Sequence, residues 1–279
     1  MREIEVIEQF CGAARGRGLI LDPTTIIADG KIHRCRTEGA KSGARNGSYV
    51  LHLDDHPAGG FDNWADGYGW MSWYARSEKQ PSPEERAAWN ARAAAIQLQR
   101  KAEEEQRYAE AAQRAMRLLS RCRPATNDHP YLRRKGVNAY GVRQLREQLV
   151  IPLRDIHGAL WTLQFIGPDG AKKFLTGGRK RGCYFPIGKP QGVICICEGY
   201  ATGASVFMAT GYATSIAFDA GNLEPVARAL RGKFPDSTIV LCADNDAYTP
   251  GNPGVRLATA AARAVRGLVA IPQFGEVLQ

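Results

Sequence analysis

The last third of the chain alternates short apolar runs with longer alanine-rich stretches. Val193-Ile194-Cys195-Ile196-Cys197, the run at about 213–218, Thr238-Ile239-Val240-Leu241-Cys242-Ala243 and the run at about 268–272 are rich in β-branched residues. Runs of that length and composition predict strands buried on both faces. Helical patterns lie between them at about 201–210, 223–233 and 254–266. Strands alternating with helices predict a parallel, right-handed crossover sheet. The expected fold over 191–279 is therefore an α/β domain, a four-stranded parallel sheet with flanking helices.

Upstream the period changes. Val150 to Asp155 and Leu160 to Ile166 read as strands joined by a hairpin turn at Ile156-His157-Gly158. Gly167-Pro168-Asp169-Gly170 marks a second turn, Lys172-Lys173-Phe174-Leu175 a third strand, and residues 177–182 a basic loop. With a short helical piece after His129-Pro130, these make 124–190 a small mixed α+β subdomain. Residues 76–123 read as a helical spacer: a linker at 76–82, then a Ser82-Pro83-Glu84-Glu85 helix start and one long helix or a broken pair as far as Cys122. Residues 1–75, with turn signals at Gly30-Lys31, Asn46-Gly47 and Gly59-Gly60, read as a small β-rich module whose end is crowded by Trp64, Trp70, Trp73 and Tyr74. Those aromatics suit core or interface packing first and base stacking second.

Charge sharpens this division. The net charge of +9 is spread as −2 over 1–75, +7 over 76–150, +5 over 151–190 and −1 over 191–279. A basic middle beside an acidic C-terminal module suits a polyanion held next to a metal centre. No apolar run approaches the roughly 20 residues that span a membrane, and the N-terminus lacks an apolar signal core, so a cytoplasmic protein is expected, with no membrane partner. The seven cysteines contain no Cys-x-x-Cys pair, so no zinc is expected; His33, Cys35, His52 and His56 do not make four ligands. Cys195 and Cys197 read as small core residues on one face of a strand.

The candidate chemistry sits where the strands end. Glu198 follows the first run of the last third, and Asp244-Asn245-Asp246 follows the third. In open α/β sheets the strand C-termini line the ligand crevice, so three carboxylates converge at one edge. Like charges repel there, and a divalent ion held by oxygen ligands offsets the cost; that chemistry favours Mg²⁺ or Mn²⁺. Asp219, near another strand end, is a weaker metal candidate, better suited to a turn or cap.

Glu198-Gly199-Tyr200-Ala201-Thr202-Gly203 followed by Asp244-Asn245-Asp246 resembles the Toprim domain shared by bacterial-type primases, topoisomerases and certain nucleases. The segment from Leu149 to Asp155, then Gln164-Phe165-Ile166, Lys172-Lys173-Phe174-Leu175, Gly182 to Gly188 and Ala217-Phe218-Asp219-Ala220-Gly221-Asn222 is similar to phage and conjugative-plasmid primases of that type. The resemblance implies a DNA primase: a nucleotidyltransferase making short RNA primers on a single-stranded DNA template from ribonucleoside triphosphates, beside a separately encoded replicative helicase. It implies Glu198, Asp244 and Asp246 as catalytic metal ligands and Lys173, in preference to Lys172, as the basic strand residue at the nucleotide site. Arg179, Lys180 and Arg181 would track phosphates, with Arg134, Lys135 and Arg256 weaker contributors. It also implies a ribbon-like N-terminal module, here expected without its metal. A Toprim nuclease using the same acids, or a non-catalytic single-strand-binding protein of a replication or transfer system, are the alternatives.

Overall fold

A computed structural model describes residues 2–40, 42–54, 57–64, 66–75, 83–245, 249 and 251–272. The expected linker at 76–82, together with His56 and Asp246, lies outside the described residues. The chain divides into two compact units, Met1–Arg92 and Ala93–Gln279.

The first unit opens with a helix that the sequence reading did not include, followed by five strands. In α1 (Glu3–Arg15), Val6, Phe10 and Ala14 recur four residues apart and are buried. Phe10 and Ala14 pack on Leu19, Tyr49, Leu51 and Phe61 of a five-stranded antiparallel sheet. Its strands, in spatial as in chain order, are β1 (Leu19–Ile20), β2 (His33–Thr37), β3 (Gly47–His52), β4 (Ala58–Asn63) and β5 (Met71–Tyr74). Gly59 is required where the helix crosses: a Cβ there would stand 2.3 Å from the Val50 carbonyl oxygen and 2.9 Å from the Phe10 ring. The aromatics divide. Trp73 packs edge-on against Phe10 at 5.1 Å, whereas Trp64, Trp70 and Tyr74 are exposed. Cys35 is buried, which pushes its thiol up to about 11, and His33 Nε2 lies 2.7 Å from Asp29 Oδ1.

The continuous helix α2 (Pro83–Leu119) leads into the second unit. Its last turns lie on a second antiparallel sheet, where Ala115, Leu118 and Leu119 meet Val150, Leu163 and Phe165. That sheet runs β10-β9-β8-β7-β6, formed by β6 (Arg123–Pro124), β7 (Arg143–Leu145), β8 (Gln148–Arg154), β9 (Leu160–Ile166) and β10 (Lys172–Phe174). The helix α3 (Pro130–Lys135) is capped by His129, whose Nδ1 accepts from the Tyr131 N–H while Nε2 donates to the Glu147 carbonyl.

The third sheet is mixed, which corrects the expected four-stranded parallel sheet. β13 (Ala213–Ile216), β12 (Val193–Cys197), β14 (Thr238–Cys242) and β15 (Leu268–Ala270) pair in parallel in that order. β11 (Phe185–Ile187) adds a fifth, antiparallel strand beside β13. Alternation along β12 sends Ile194 and Ile196 toward α5 (Leu223–Lys233) and α6 (Pro253–Ala264). Cys197 points the other way, toward α4 (Tyr200–Thr210) and the second sheet. There Leu149, Ile151, Leu153 and Ile166 share one core with Tyr200, Ala204 and Ile216. No helix among the described residues is long and apolar enough to cross a membrane.

Tyr200 is the polar fastening inside that core. It is fully buried; its hydroxyl donates to the Asn138 carbonyl at 2.8 Å and accepts from the Tyr140 N–H at 2.9 Å. Tyr200→Phe removes both bonds, but the Tyr140 N–H also donates to the Asn138 carbonyl at 3.1 Å, so neither backbone group is stranded and the loss is that of ordinary hydrogen bonds, about 0.5–1.5 kcal/mol each. We expect the variant to unfold in urea at a lower midpoint with an unchanged slope, a loss of about 1 kcal/mol.

Candidate active site

Parallel pairing brings the carboxylates together. Cys197, the last residue of β12, stands opposite Cys242, the last residue of β14. The chain past each strand carries Glu198 and Asp244, so both acids leave adjacent strands at the same edge, and both are half-buried. Pairing continues beyond the strand ends on either side. Ala217 N–H donates to Cys197 O and Phe218 N–H to Glu198 O, each at 2.8 Å, and Ala243 N–H donates to Ala270 O at 2.9 Å. Phe218 takes a left-handed backbone, φ 73°, a conformation that costs a non-glycine residue about 1–3 kcal/mol and concentrates at functional sites. The turn delivers Asp219 to the same edge, on the far side of β12.

Asp219 has a partner there: its Oδ2 lies 3.1 Å from Lys180 Nζ. Lys180 also sits over the Phe174 ring at 4.7 Å, and Phe174 meets Phe218 edge-on. The structure thus places Asp219 as the anchor of the basic loop.

The two lysines of β10 separate. Lys173 pairs with Phe165, which faces α2, whereas Lys172 pairs with Ile166, which faces the core beneath the third sheet. The Lys172 ammonium lies 3.7 Å from where a Cβ on Gly199 would stand. It is therefore Lys172, not Lys173, that reaches the Glu198-Gly199 turn. Strand alternation allows only one of two consecutive lysines on a given face, and the side was set by the register with β9.

Arg179 turns away from solvent phosphates. Its guanidinium stacks on Trp161 at 3.8 Å and reaches Asp155 Oδ2 at 3.3 Å. Asp155 also accepts from Trp161 Nε1 at 2.7 Å and from the backbone N–H groups of His157 and Ala159. Arg181 is exposed on the loop, and Lys135 and Arg256 are exposed on α3 and α6. Arg134 donates to the Pro168 carbonyl at 2.9 Å. Among the described residues no hydrogen bond or ion pair joins Arg134, Lys135 or Arg256 to Lys180. Asn245 is structural: its Nδ2 donates to Pro272 O and its Oδ1 accepts from Asn252 Nδ2, while Asn252 Oδ1 caps α6 at Val255 N–H.

Asn222 has a part that its sequence context did not reveal. Buried to 3 % exposure, it accepts from Gly182 N–H at 2.7 Å and donates to the carbonyls of Cys183 and Ala217 at 2.9 and 2.8 Å. It stitches the end of the basic loop to the end of β13. The signal was present, a polar residue followed directly by the apolar start of a helix, but that pattern reads as an N-cap.

Among the described residues no three His, Cys, Asp or Glu side chains gather as a metal site. Two of the three expected carboxylates stand at the edge, and Asp246 lies outside the described residues. An oxygen-only donor set on neighbouring strand ends fits a hard divalent cation. The thiols beneath it do not compete: Cys195 is held protonated by its hydrogen bond to Cys242 and by burial.

Residues 192–271 match the family model of the Toprim domain. Two curated proteins named DNA primase TraC, both from Escherichia coli, are similar to nearly the whole chain. One is 41% identical over 281 residues, covering 96% of this chain and 26% of the relative. The other is 40% identical over 283 residues, covering 96% and 19%. The chain thus spans about a quarter or less of these relatives' length. Among solved structures, the primase fragment of the bacteriophage T7 primase-helicase protein aligns at a TM-score of 0.41 with 15% identity, over 55% of this chain and 66% of that one.

The Asp155 cluster gives a pH test. Burial raises this carboxyl, but the bonds from Trp161, Ala159 and His157 and the Arg179 charge outweigh it and hold it below its ordinary value of 3.8. A carboxyl depressed in the folded state adds stability above its unfolded pKa and loses it as pH falls through the folded pKa. The gap in unfolding free energy between the native protein and Asp155→Asn should stay constant down to about pH 4 and close below it, as followed by tryptophan fluorescence in urea.

Proposed function

We propose that this protein is a DNA primase, joining ribonucleotides on a single-stranded DNA template at the edge formed by β12 and β14. The observation that carries this reading is the in-register parallel pairing of Cys197 with Cys242, which sets Glu198 beside Asp244 with Asp246 two residues on. The similarity to DNA primases along 96% of the chain supports it. So does the second sheet, which packs a basic strand and loop against the same edge and which a nuclease would not need.

In this reading Glu198, Asp244 and Asp246 hold Mg²⁺ or Mn²⁺. The bound ion supplies charge stabilisation for the attacking and leaving oxygens of phosphoryl transfer. The chain's own groups do the rest. Lys172 places a cation beside Gly199 where an incoming triphosphate would meet the carboxylates. Lys180, steadied by Asp219 and the Phe174 ring, and Arg181 offer charge to the template backbone. Arg179 holds the loop through Asp155 and Trp161. Ribonucleoside triphosphates, single-stranded DNA and a separately encoded helicase are the partners that this reading assigns.

The test is primer synthesis on single-stranded DNA with labelled ribonucleotides and Mg²⁺ or Mn²⁺. Short template-dependent RNAs are expected, falling to background in Asp244→Asn, which should still bind DNA. Lys172→Gln should raise the KM for ribonucleotide about tenfold, roughly 1.4 kcal/mol. Metal-dependent loss of the DNA without RNA would move the assignment to a nuclease; binding with neither would leave a non-catalytic module.

A further inference from the structure

Helix α2 carries a row of arginines that the edge at β12 and β14 does not use. Arg100, Arg107 and Arg114 recur every seven residues along the helix, two turns or about 10.5 Å apart; Arg117 follows, and Arg121 continues the spacing in the turn just past Leu119, the last helical residue. The row flanks the docked side of the helix, marked by buried Ala111 and Ala115. Toward its C-terminal end the helix loses its acids: between Glu110 and Asp128 the sequence holds Arg114, Arg117, Arg121 and Arg123 and no Asp or Glu. Further up, Arg107 pairs with Glu104 at 3.5 Å, while Glu103 and Glu110 accept hydrogen bonds from Gln99 and Gln106. Among the described residues, Arg114, Arg117 and Arg121 are exposed and form no ion pair.

Three further observations distinguish this row from an ordinary solvated helix face. A groove of about 590 Å³ is lined by Arg114, Arg117, Leu118, Ser120 and Arg121, so the guanidinium groups border a concave surface. The face of the second sheet on which α2 lies also carries Lys173, opposite Phe165, and Arg143, opposite Val150, both exposed. The row is also continuous with the basic loop. Arg114 donates to the Thr176 carbonyl at 2.8 Å, and the Arg107 side chain lies 3.3 Å from where a Cβ on Gly177 would stand; three residues past Gly177, Lys180 reaches Asp219.

We infer that the C-terminal turns of α2 form a second nucleic-acid surface, one that holds the phosphodiester backbone of a single strand running to or from the carboxylate edge. The inference rests on the primase reading for its direction of travel, but not for its chemistry. Guanidinium forks match phosphate oxygens with two parallel hydrogen bonds and suit this ligand better than lysines would. An acidic protein surface is the poorer fit, because among the described residues that line the groove only Leu118, half-buried, is apolar, where a protein interface would place an apolar anchor.

The experiment is a salt titration of binding, by fluorescence anisotropy, to a labelled oligothymidylate of about 24 nucleotides, longer than one binding module covers. The full chain is compared with Arg117→Gln/Arg121→Gln, which removes two charges and keeps helix-forming residues. Each lost phosphate contact lowers the slope of log K against log salt by about 0.7 on single strands. The double variant should lose about 1.4 in slope and bind at least tenfold more weakly at low salt. Arg121→Gln alone, a change of one exposed side chain, should remove about half of that slope and guards against a folding defect in the double variant. An unchanged slope in both variants overturns the inference. So does a variant that loses affinity for polyglutamate while its DNA affinity stands, since the face would then belong to an acidic protein. Primer synthesis measured on the same samples separates the two readings. RNA made with no change in slope sinks only the second surface; a reduced slope with no RNA sinks only the primase assignment.

Discussion

The constraint on which the candidate site depends is the flanking of β12 by parallel strands that end at one level. Cys197 stands opposite Ile216 on one side and Cys242 on the other. Side chains alternate with a period of two, so a slip of one residue in either pairing would exchange the two core faces of a strand and move one acid to the wrong face of the sheet. The register is held because both faces are buried: Ile194, Ile196, Ile239 and Leu241 beneath α5 and α6, Cys197 and Ile216 beneath α4 and the second sheet. Gathering two or more carboxylates at that edge opposes folding in the absence of a cation. The core under them, rather than any attraction between them, keeps them in place.

That dependence explains what the sequence made legible. The apolar runs at 193–197 and 238–243 and the helical pattern at 223–233 correspond to β12, β14 and α5 within a residue or so, because an element buried on both faces leaves little choice of period. Glu198 and Asp244 were legible for the same reason: an acid directly after such a run has to emerge at the sheet edge. β11 was not legible as a strand. Three residues, one of them proline, carry almost no periodic signal, and only the exposed edge of β13 makes them pair. α1 was not legible although Val6, Phe10 and Ala14 have helical spacing, because Ile4, Ile7 and Cys11 blur the apolar stripe and the turn-rich stretch after it dominates the region.

The choice between Lys172 and Lys173 failed for a different reason. Alternation states that two neighbours face opposite ways but not which face is which; that is set by the pairing of Lys172 with Ile166, a contact between strands. Arg179 failed similarly. Within the basic loop it is indistinguishable from Lys180 and Arg181, and its role is fixed by Trp161 and Asp155, distant in sequence. Local pattern identifies that a charge is present. Tertiary contact decides whether the charge is spent on the protein or offered to a ligand.

The same distinction sorts the cations of the second unit. Arg134, Arg179 and Arg231 donate to backbone carbonyls or to a half-buried carboxylate and so serve the fold. Lys180 is shared, since its partner Asp219 stands at the carboxylate edge and its charge is only partly neutralised by an exposed ion pair. Arg117, Arg121, Arg143 and Lys173 have no ion pair among the described residues and lie where the chain supplies few acids. Keeping like charges together on one face costs repulsion that the fold does not recover. A surface that holds them against that repulsion is arranged for a polyanion, and release of the counterions condensed on that polyanion would then drive its binding.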